Sequence, residues 1–229
     1  RLSVSRASAG RLLERCRQAG IVSFTINSEF YESFHVGRQL KEKFGLREAL
    51  VPPMLEVDAQ EQSRVNARLG RGGAQYLQSH LKPGDVLAMG WGDTVQQTMN
   101  ALHPDAIARV STVTLTGGVG AYINTLRRVR GHRENGLVDA ILPTPIVASS
   151  EELAAAQRAE AAVQSVLDIS RSADHAVVGI GAVVGQVTLA QVGYASQEEL
   201  DAGAAAGAVG DILGVFYDSH GQVVDLPIH

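Results

Sequence analysis

Residues 86–94 read Val-Leu-Ala-Met-Gly-Trp-Gly-Asp-Thr, and this stretch decides the fold. Four apolar residues in an unbroken run suit a short strand buried on both faces, the habit of parallel sheets. Lys82-Pro-Gly-Asp85 in front of it is a turn, and the residues after Thr94 carry helical spacing as far as Leu102. Turn, buried strand, glycine-bearing loop and helix together make half of a strand–helix–strand unit.

The unit repeats along the chain. Val110–Thr116 reads as a strand running into Gly117-Gly-Val-Gly120, Val138–Leu142 as another closed by Pro143 and Pro145, and Ala176–Gly181 as a third with glycines at its C-terminal end. Helices are expected over 58–81, with Val65, Leu69, Tyr76 and Leu77 facing inward, and without a break over Glu151–Ser170. Leu50-Val51-Pro-Pro suggests a short strand and a stop, and Gly214–Asp225 a hairpin. The alternation implies the α/β class: a mostly parallel, Rossmann-like sheet with helices on both faces.

Such sheets take ligands beyond the C-terminal ends of their strands. Three strands here end in glycine-bearing loops, at Gly90–Thr94, Thr116–Gly120 and Gly179–Gly181. Glycine lets backbone N–H groups approach an anion, and a following helix adds its positive N-terminal end. Asp93 or Thr94 can cap that helix, and Thr94 can also donate to a phosphate. None of the loops is the six-position dinucleotide fingerprint, and none carries the Walker A lysine. Any one of them is equally a tight turn; three together, with threonines such as Thr116 alongside, point to a phosphorylated small molecule. Trp91 is the only tryptophan, and it either stacks on a ligand or fills the core. Asp211 lies in the apolar, glycine-rich stretch Gly207–Gly214, where a carboxylate costs energy unless it has partners. It either bonds nearby backbone N–H groups or accepts the hydroxyls of a sugar.

The N-terminus has a different character. Residues 1–22, RLSVSRASAGRLLERCRQAGIV, read as the second half of a helix-turn-helix. Ser5 can cap a helix whose apolar face holds Ala9, Leu12, Leu13 and Cys16; Gly20 stops it, and 21–26 alternates like a strand or wing. Residues 1–20 contain five arginines against Glu14 alone, whereas the whole chain carries −4. A basic helix on an acidic protein suits phosphate contact, with Ser5, Arg6, Ser8 and Arg11 as candidate DNA-reading residues. The competing reading is an ordinary amphipathic surface helix. Gly10 weakens the helix, or lets the backbone come close to DNA. Residues 134–229 hold thirteen acids against only Arg158 and Arg171, so this half is expected to face solvent or other subunits.

Composition sets the outer bounds. At 229 residues, 45% hydrophobic and 19% charged, the chain can bury one large core with a small appendage and is not expected to be disordered. A single cysteine excludes an intrachain disulfide and fits a reducing cytoplasm; Cys16 is read as packing. No run of membrane-spanning length appears, so no membrane partner is expected. The chain opens at Arg1 without Met and without a first helix for the motif, which is expected of a fragment or of a protein with a disordered front end. The expected division is 1–27 as a partial helix-turn-helix with wing strand, 28–49 as a linker helix, and 50–229 as an effector-binding domain.

In SVSRASAGRLLERCRQAGIV (3–22), LAMGWGDT (87–94), TLTGGVGAY (114–122), PTPIVASS (143–150), VVGIGA (177–182) and GAVGDILGVFYD (207–218), in that order, the chain resembles the SorC family of bacterial transcriptional regulators. The resemblance implies an N-terminal helix-turn-helix that binds operator DNA. It also implies a non-catalytic domain, similar to phosphosugar isomerases, that binds a phosphorylated sugar or sugar-like effector. A homo-oligomer, dimer or tetramer, is implied as well. Carried over by position, the effector would meet Gly90, Trp91, Gly92, Thr94, Gly117, Gly118, Thr188, Asp211 and Leu213, with Asp93 and Thr116 beside them. Trp91 stands where the family member that answers to phosphorylated autoinducer-2 has Phe, which implies an effector of another shape. The family also continues past the equivalent of Leu226–His229, with a lysine that meets the phosphate, so the domain is expected to lack its C-terminal part.

The alternative on the same fold is a phosphosugar isomerase or lactonase-like enzyme, and a third reading is a purely structural module. An enzyme needs a positioned base near the loops. Asp93, Asp211, His103 and His132 are the candidates, but the histidines are expected away from the loop mouths and Asp93 suits capping. No catalytic residue, metal set or cofactor is therefore assigned.

Overall fold

Glycine ends both helices of the N-terminal unit. Gly20 follows α1 (Arg6–Gln18) with φ +69; its N–H donates to the Arg17 carbonyl at 3.1 Å, and that of Ile21 to the Cys16 carbonyl at 2.9 Å. This pairing satisfies carbonyls that the last turn leaves open, and only the positive φ allows it. Gly45 does the same for α2 (Ser28–Phe44), with φ +64 and a bond from Leu46 N–H to the Lys41 carbonyl. In the computed structural model, residues 6–21, 28–54, 61–118, 139–185 and 187–226 are described, and the chain divides into the units Arg1–Leu55 and Glu56–His229.

Two expectations fail in the first unit. The apolar face of α1 is not covered among the described residues: Leu12 and Leu13 are 59% and 55% exposed. Residues 48–54 form no strand; they pass back along α2, where a Cβ on Gly37 would lie 2.7 Å from the Ala49 carbonyl oxygen. Pro52 and Pro53 remove two ladder donors from that segment, which works against sheet pairing. The expected wing at 21–26 lies outside the described residues apart from Ile21, as does Ser5.

In the second unit, β1 (Val86–Met89), β2 (Ser111–Thr114), β3 (Asp139–Ala140) and β4 (His175–Val177) form a parallel sheet in the order β3-β2-β1-β4. The Rossmann-like reading is borne out. Leu87 and Met89 point into a core with Ala74 and Leu77 of α3 (Gln62–His80) and Val95, Met99 and Leu102 at α4 (Asp93–Ala101). Ala88 and Val113 face the other way, toward Val166 and Ile169 of α7 (Ala161–Arg171). Both faces are thus buried, which is why the strand sequence does not alternate. The turn ahead of β1 closes as its residues require: Gly84 has φ +91, and the Lys82 N–H donates to the Asp85 carboxylate at 2.8 Å.

The inner face of α3 differs from expectation. Leu69 and Tyr76 are exposed, whereas Gly70, Gly72 and Ala74 are buried beside Leu77. A Cβ on Gly70 would lie 2.5 Å from Gln97 Cβ, and one on Gly73 2.9 Å from Thr98 Oγ1. Small residues let α3 lie directly on α4, and that proximity outweighs the helix-weakening effect of glycine. The expected unbroken helix at Glu151–Ser170 is two, α6 (Glu151–Ala159) and α7, parted at Glu160 by ψ 135.

Ala176–Gly181 is likewise not one strand. After β4 the chain leaves the parallel sheet and enters a second, antiparallel one. This consists of β5 (Gly181–Ala182), β6 (Ala208–Ile212), β7 (Val215–Asp218) and β8 (Val223–Val224), paired in that order, and it confirms the hairpin character of 214–225. Its core holds Val183, Val187, Leu189, Ala195, Leu200, Ala208 and Phe216, drawn partly from α8 (Thr188–Gln191) and α9 (Gln197–Ala205).

Candidate functional site

Parallel register brings the ends of β1, β2 and β4 to one rim: Met89 pairs with Thr114 on one side and Val177 on the other. Gly90, Leu115–Gly118 and Val178–Gly179 therefore leave the sheet side by side. Gly90 N–H donates to the Val177 carbonyl and Leu115 N–H to the Met89 carbonyl, each at 2.8 Å, so the ladder runs one residue past the strands.

Gly92, with φ +120, turns the chain into α4 as its N-cap residue, and no side chain caps the helix. Its first-turn N–H groups then face past the rim, with the positive end of the helix dipole. Asp93 is the first helical residue, not the cap that its sequence position suggests. Its carboxylate accepts from Asn66 Nδ2 at 2.7 Å and Gln97 Nε2 at 3.4 Å, tying α4 to α3. Thr94 is half-buried beside it.

The second loop does something the sequence does not reveal. A Cβ on Gly117 would collide with the Thr144 and Pro145 carbonyl oxygens, and one on Gly118 with the Ile146 side chain. Gly118 N–H donates to the Thr144 carbonyl at 2.7 Å. Both glycines admit the Thr144–Ile146 segment, and the Gly118 amide is engaged by protein. Thr116 is buried at the head of this loop.

A third element joins the rim from the antiparallel sheet. The turn between β6 and β7 places Leu213 at φ +56 and Gly214 at φ +82. Leu213 is the one non-glycine residue with positive φ among the described residues, a conformation that costs roughly 1–3 kcal/mol and gathers at ligand sites. Leu213 Cδ2 leans on Gly90. Asp211 is 7% exposed; its Oδ2 accepts from Gly214 N–H at 3.0 Å, and its Oδ1 packs on Gly181, where no Cβ fits. Burial pushes its carboxyl above the ordinary aspartate value, and the Gly214 bond pulls partly against that. One oxygen thus braces the turn, so the structural role left open by the sequence is present.

Trp91 touches both cores, packing against the Leu87–Met99 cluster and the Phe216–Leu200 cluster. Tyr194 meets it edge-on, with ring centroids 5.5 Å apart at 79°. Tyr194 is not singled out by sequence reasoning, and the Thr144 segment enters there only within the motif 143–150, for an aromatic or a proline in a loop carries no signal of what it faces. Thr188 is exposed at the start of the short α8, and no side-chain hydrogen bond joins it to this group among the described residues. The acid–base pair His175 Nε2–Asp85 Oδ2, at 3.2 Å, lies at the opposite rim, at the strand N-termini. His103 caps the short helix α5 (Pro104–Ile107) behind α4, and His132 lies outside the described residues. Of the DNA-reading candidates, Arg11 is exposed on α1 and Ser8 half-buried. Among the described residues no group of histidine, cysteine and carboxylates has metal-binding geometry, and no helix is long and apolar enough to cross a membrane.

Residues 28–229 match the sugar-binding domain family. The chain is 39% identical over 233 residues to the transcriptional regulator LsrR of Escherichia coli K12, covering all of this chain and 71% of that protein. It is 37% identical to the LsrR of Enterobacter sp. strain 638, covering 69% of it. The crystal structure of the full-length sorbitol operon regulator SorC from Klebsiella pneumoniae superposes with a TM-score of 0.73 at 26% identity. That superposition covers 99% of this chain and 74% of the other.

Proposed function

Since the chain belongs to the SorC family of ligand-responsive transcriptional regulators, we propose that a phosphorylated sugar or sugar-like effector binds across its glycine-bearing rim and alters its hold on operator DNA. It is not an enzyme: the relatives are transcriptional regulators, and the isomerase or lactonase reading falls with them.

One observation carries the effector reading. The turns after β1, β2 and β4 emerge on one rim, and the Asp211–Gly214 turn of the second sheet joins them through Leu213. The uncapped first turn of α4 offers N–H groups to a phosphate. Asp211, whose Oδ1 has no hydrogen-bond partner among the described residues, accepts effector hydroxyls, and Trp91 provides an apolar wall. Gly90, Gly92, Thr94, Thr116, Gly117 and Leu213 shape the site around them. Asp93 anchors its helix, Gly118 holds the Thr144 segment, and Thr188 lines the site from the second sheet's side.

Ser5, Arg6, Ser8 and Arg11 contact operator DNA. The protein acts in the cytoplasm as a dimer or tetramer, in which effector occupancy favours one subunit arrangement and with it one spacing of the DNA-reading helices. The test is DNA binding to promoter fragments over a range of salt, with and without sugar phosphates. A steep salt dependence and an effector shift are expected, and by linkage DNA must change effector affinity by the same factor. Salt-steep binding that no sugar phosphate alters would overturn the effector reading.

A further inference from the structure

Trp91 lies between the two glycines of the rim loop, and Tyr194 is the ring it meets. In an edge-on pair one ring offers only its edge, so neither face of that ring is covered by its partner. The pair is also held from two sides. Trp91 belongs to the parallel sheet through Gly90 N–H on the Val177 carbonyl, and Tyr194 belongs to the second sheet's core through its N–H on the Leu189 carbonyl at 2.8 Å. Tyr194 is half-buried, and its hydroxyl has no hydrogen-bond partner among the described residues. Where a tyrosine is buried, its hydroxyl usually finds such a partner. A ring face that its aromatic partner leaves uncovered, beside a hydroxyl with no partner among the described residues, matches the two surfaces of a sugar, its C–H face and its hydroxyl edge.

We propose that Tyr194 is a specificity-determining residue of the effector site. Its ring, set against Trp91, packs on the C–H face of the sugar moiety, and its hydroxyl bonds one sugar hydroxyl. The phosphate is held elsewhere, at the start of α4. This rests on the effector reading above and adds the residue that chooses among sugars.

A site built to bond a hydroxyl discriminates strongly against an analogue lacking it, because the protein group is left unpaired. The probes are ribose 5-phosphate, fructose 6-phosphate, their deoxy analogues and inorganic phosphate, titrated against the full chain with emission of the sole tryptophan, Trp91, and calorimetry as readouts. Tyr194→Phe keeps the ring and its packing. It is expected to lower affinity for the preferred sugar phosphate by about tenfold while leaving the matching deoxy analogue and inorganic phosphate within about twofold. Tyr194→Leu is expected to change the ranking of the sugars as well. Tyr194→Phe that keeps the wild-type preference for sugar over deoxy sugar overturns the proposal, as does a uniform loss across all probes, inorganic phosphate included. If the wild-type chain binds inorganic phosphate alone or no probe at all, the effector reading itself fails, and Tyr194 with it.

Discussion

Leu213 Cδ2 lies 2.9 Å from the place where a Cβ on Gly90 would stand. The two residues come from different sheets. Gly90 ends the first strand of the parallel sheet, and Leu213 sits at φ +56 in the turn between the second and third strands of the antiparallel one. Glycine at 90 is therefore required by the neighbouring turn and not by its own backbone, because no positive φ is recorded for it. The strained turn is held by this contact on one side and by the Asp211–Gly214 bond on the other.

Gly90→Ala is expected to push the Leu213 turn away, costing about 1–3 kcal/mol of stability as an overpacking change and weakening effector binding. Leu213→Ala vacates the space. The double variant should recover part of the loss, with a coupling of roughly 0.5 kcal/mol or more in thermal or urea unfolding. Strict additivity of the two changes would show that the contact bears no load.

Asp211 is held above the ordinary aspartate value of 3.8 mainly by burial. The folded state therefore binds its proton more tightly than the unfolded state does. The favourable contribution is complete below 3.8 and is lost as pH rises through the raised folded value. Asp211→Asn keeps an acceptor for Gly214 N–H and removes the charge. Above that window the variant should be more stable than the wild type, and at acid pH the two should converge. Effector affinity should nevertheless fall about tenfold to a hundredfold, since hydrogen bonds to a charged group are worth roughly 1.5–3 kcal/mol. Urea titrations at several pH values with parallel binding curves separate the two effects, and an advantage that persists at acid pH would contradict the burial argument.

Asp93 places a negative charge in the first turn of a helix whose other open groups face the rim. Asp93→Asn retains an acceptor for Asn66 and removes repulsion toward a phosphate. Stability should drop by about 0.3–1 kcal/mol through the lost interaction with the helix dipole, while affinity for the phosphorylated effector rises severalfold at low salt. Calorimetry at low and high salt checks this. Weaker binding instead would place the carboxylate itself on the effector.

The sequence disclosed the parallel sheet because Val86–Met89 and Ser111–Thr114 are buried on both faces and each runs into glycine. Lys82–Asp85 and Gly20 were legible for a related reason: each closes its turn with its own atoms or its own φ. What stayed hidden depends on distant partners. Glu160 interrupts a run of good helix formers with no proline or glycine to announce it. Val178–Ile180 carries the chain from one sheet to the other, and apolar character does not say which sheet a residue joins. Gly117 and Gly118 look the same as Gly92 in sequence, yet they make room for Thr144–Ile146, whereas Gly92 turns the chain into a helix. The DNA-reading candidates were legible as charge alone.

Arg11 is exposed at mid-helix in α1, and the recorded ion pair of that helix joins Arg17 to Glu14 at 3.2 Å. That pair is surface-exposed and adds little to stability, so the helix does not depend on Arg11. Arg11→Ala is expected to leave the unfolding transition of the sugar-binding unit in place and to lower affinity for promoter DNA. Two kinds of contact predict different patterns. A phosphate contact weakens all sequences alike and reduces the slope of log affinity against log salt by about 1, whereas a base contact costs roughly 1–3 kcal/mol on the operator and spares other DNA. Fluorescence anisotropy over a salt series, on operator and on scrambled duplex, tells them apart. Unchanged binding on both duplexes would remove Arg11 from the reading surface and leave its basic charge a matter of solubility.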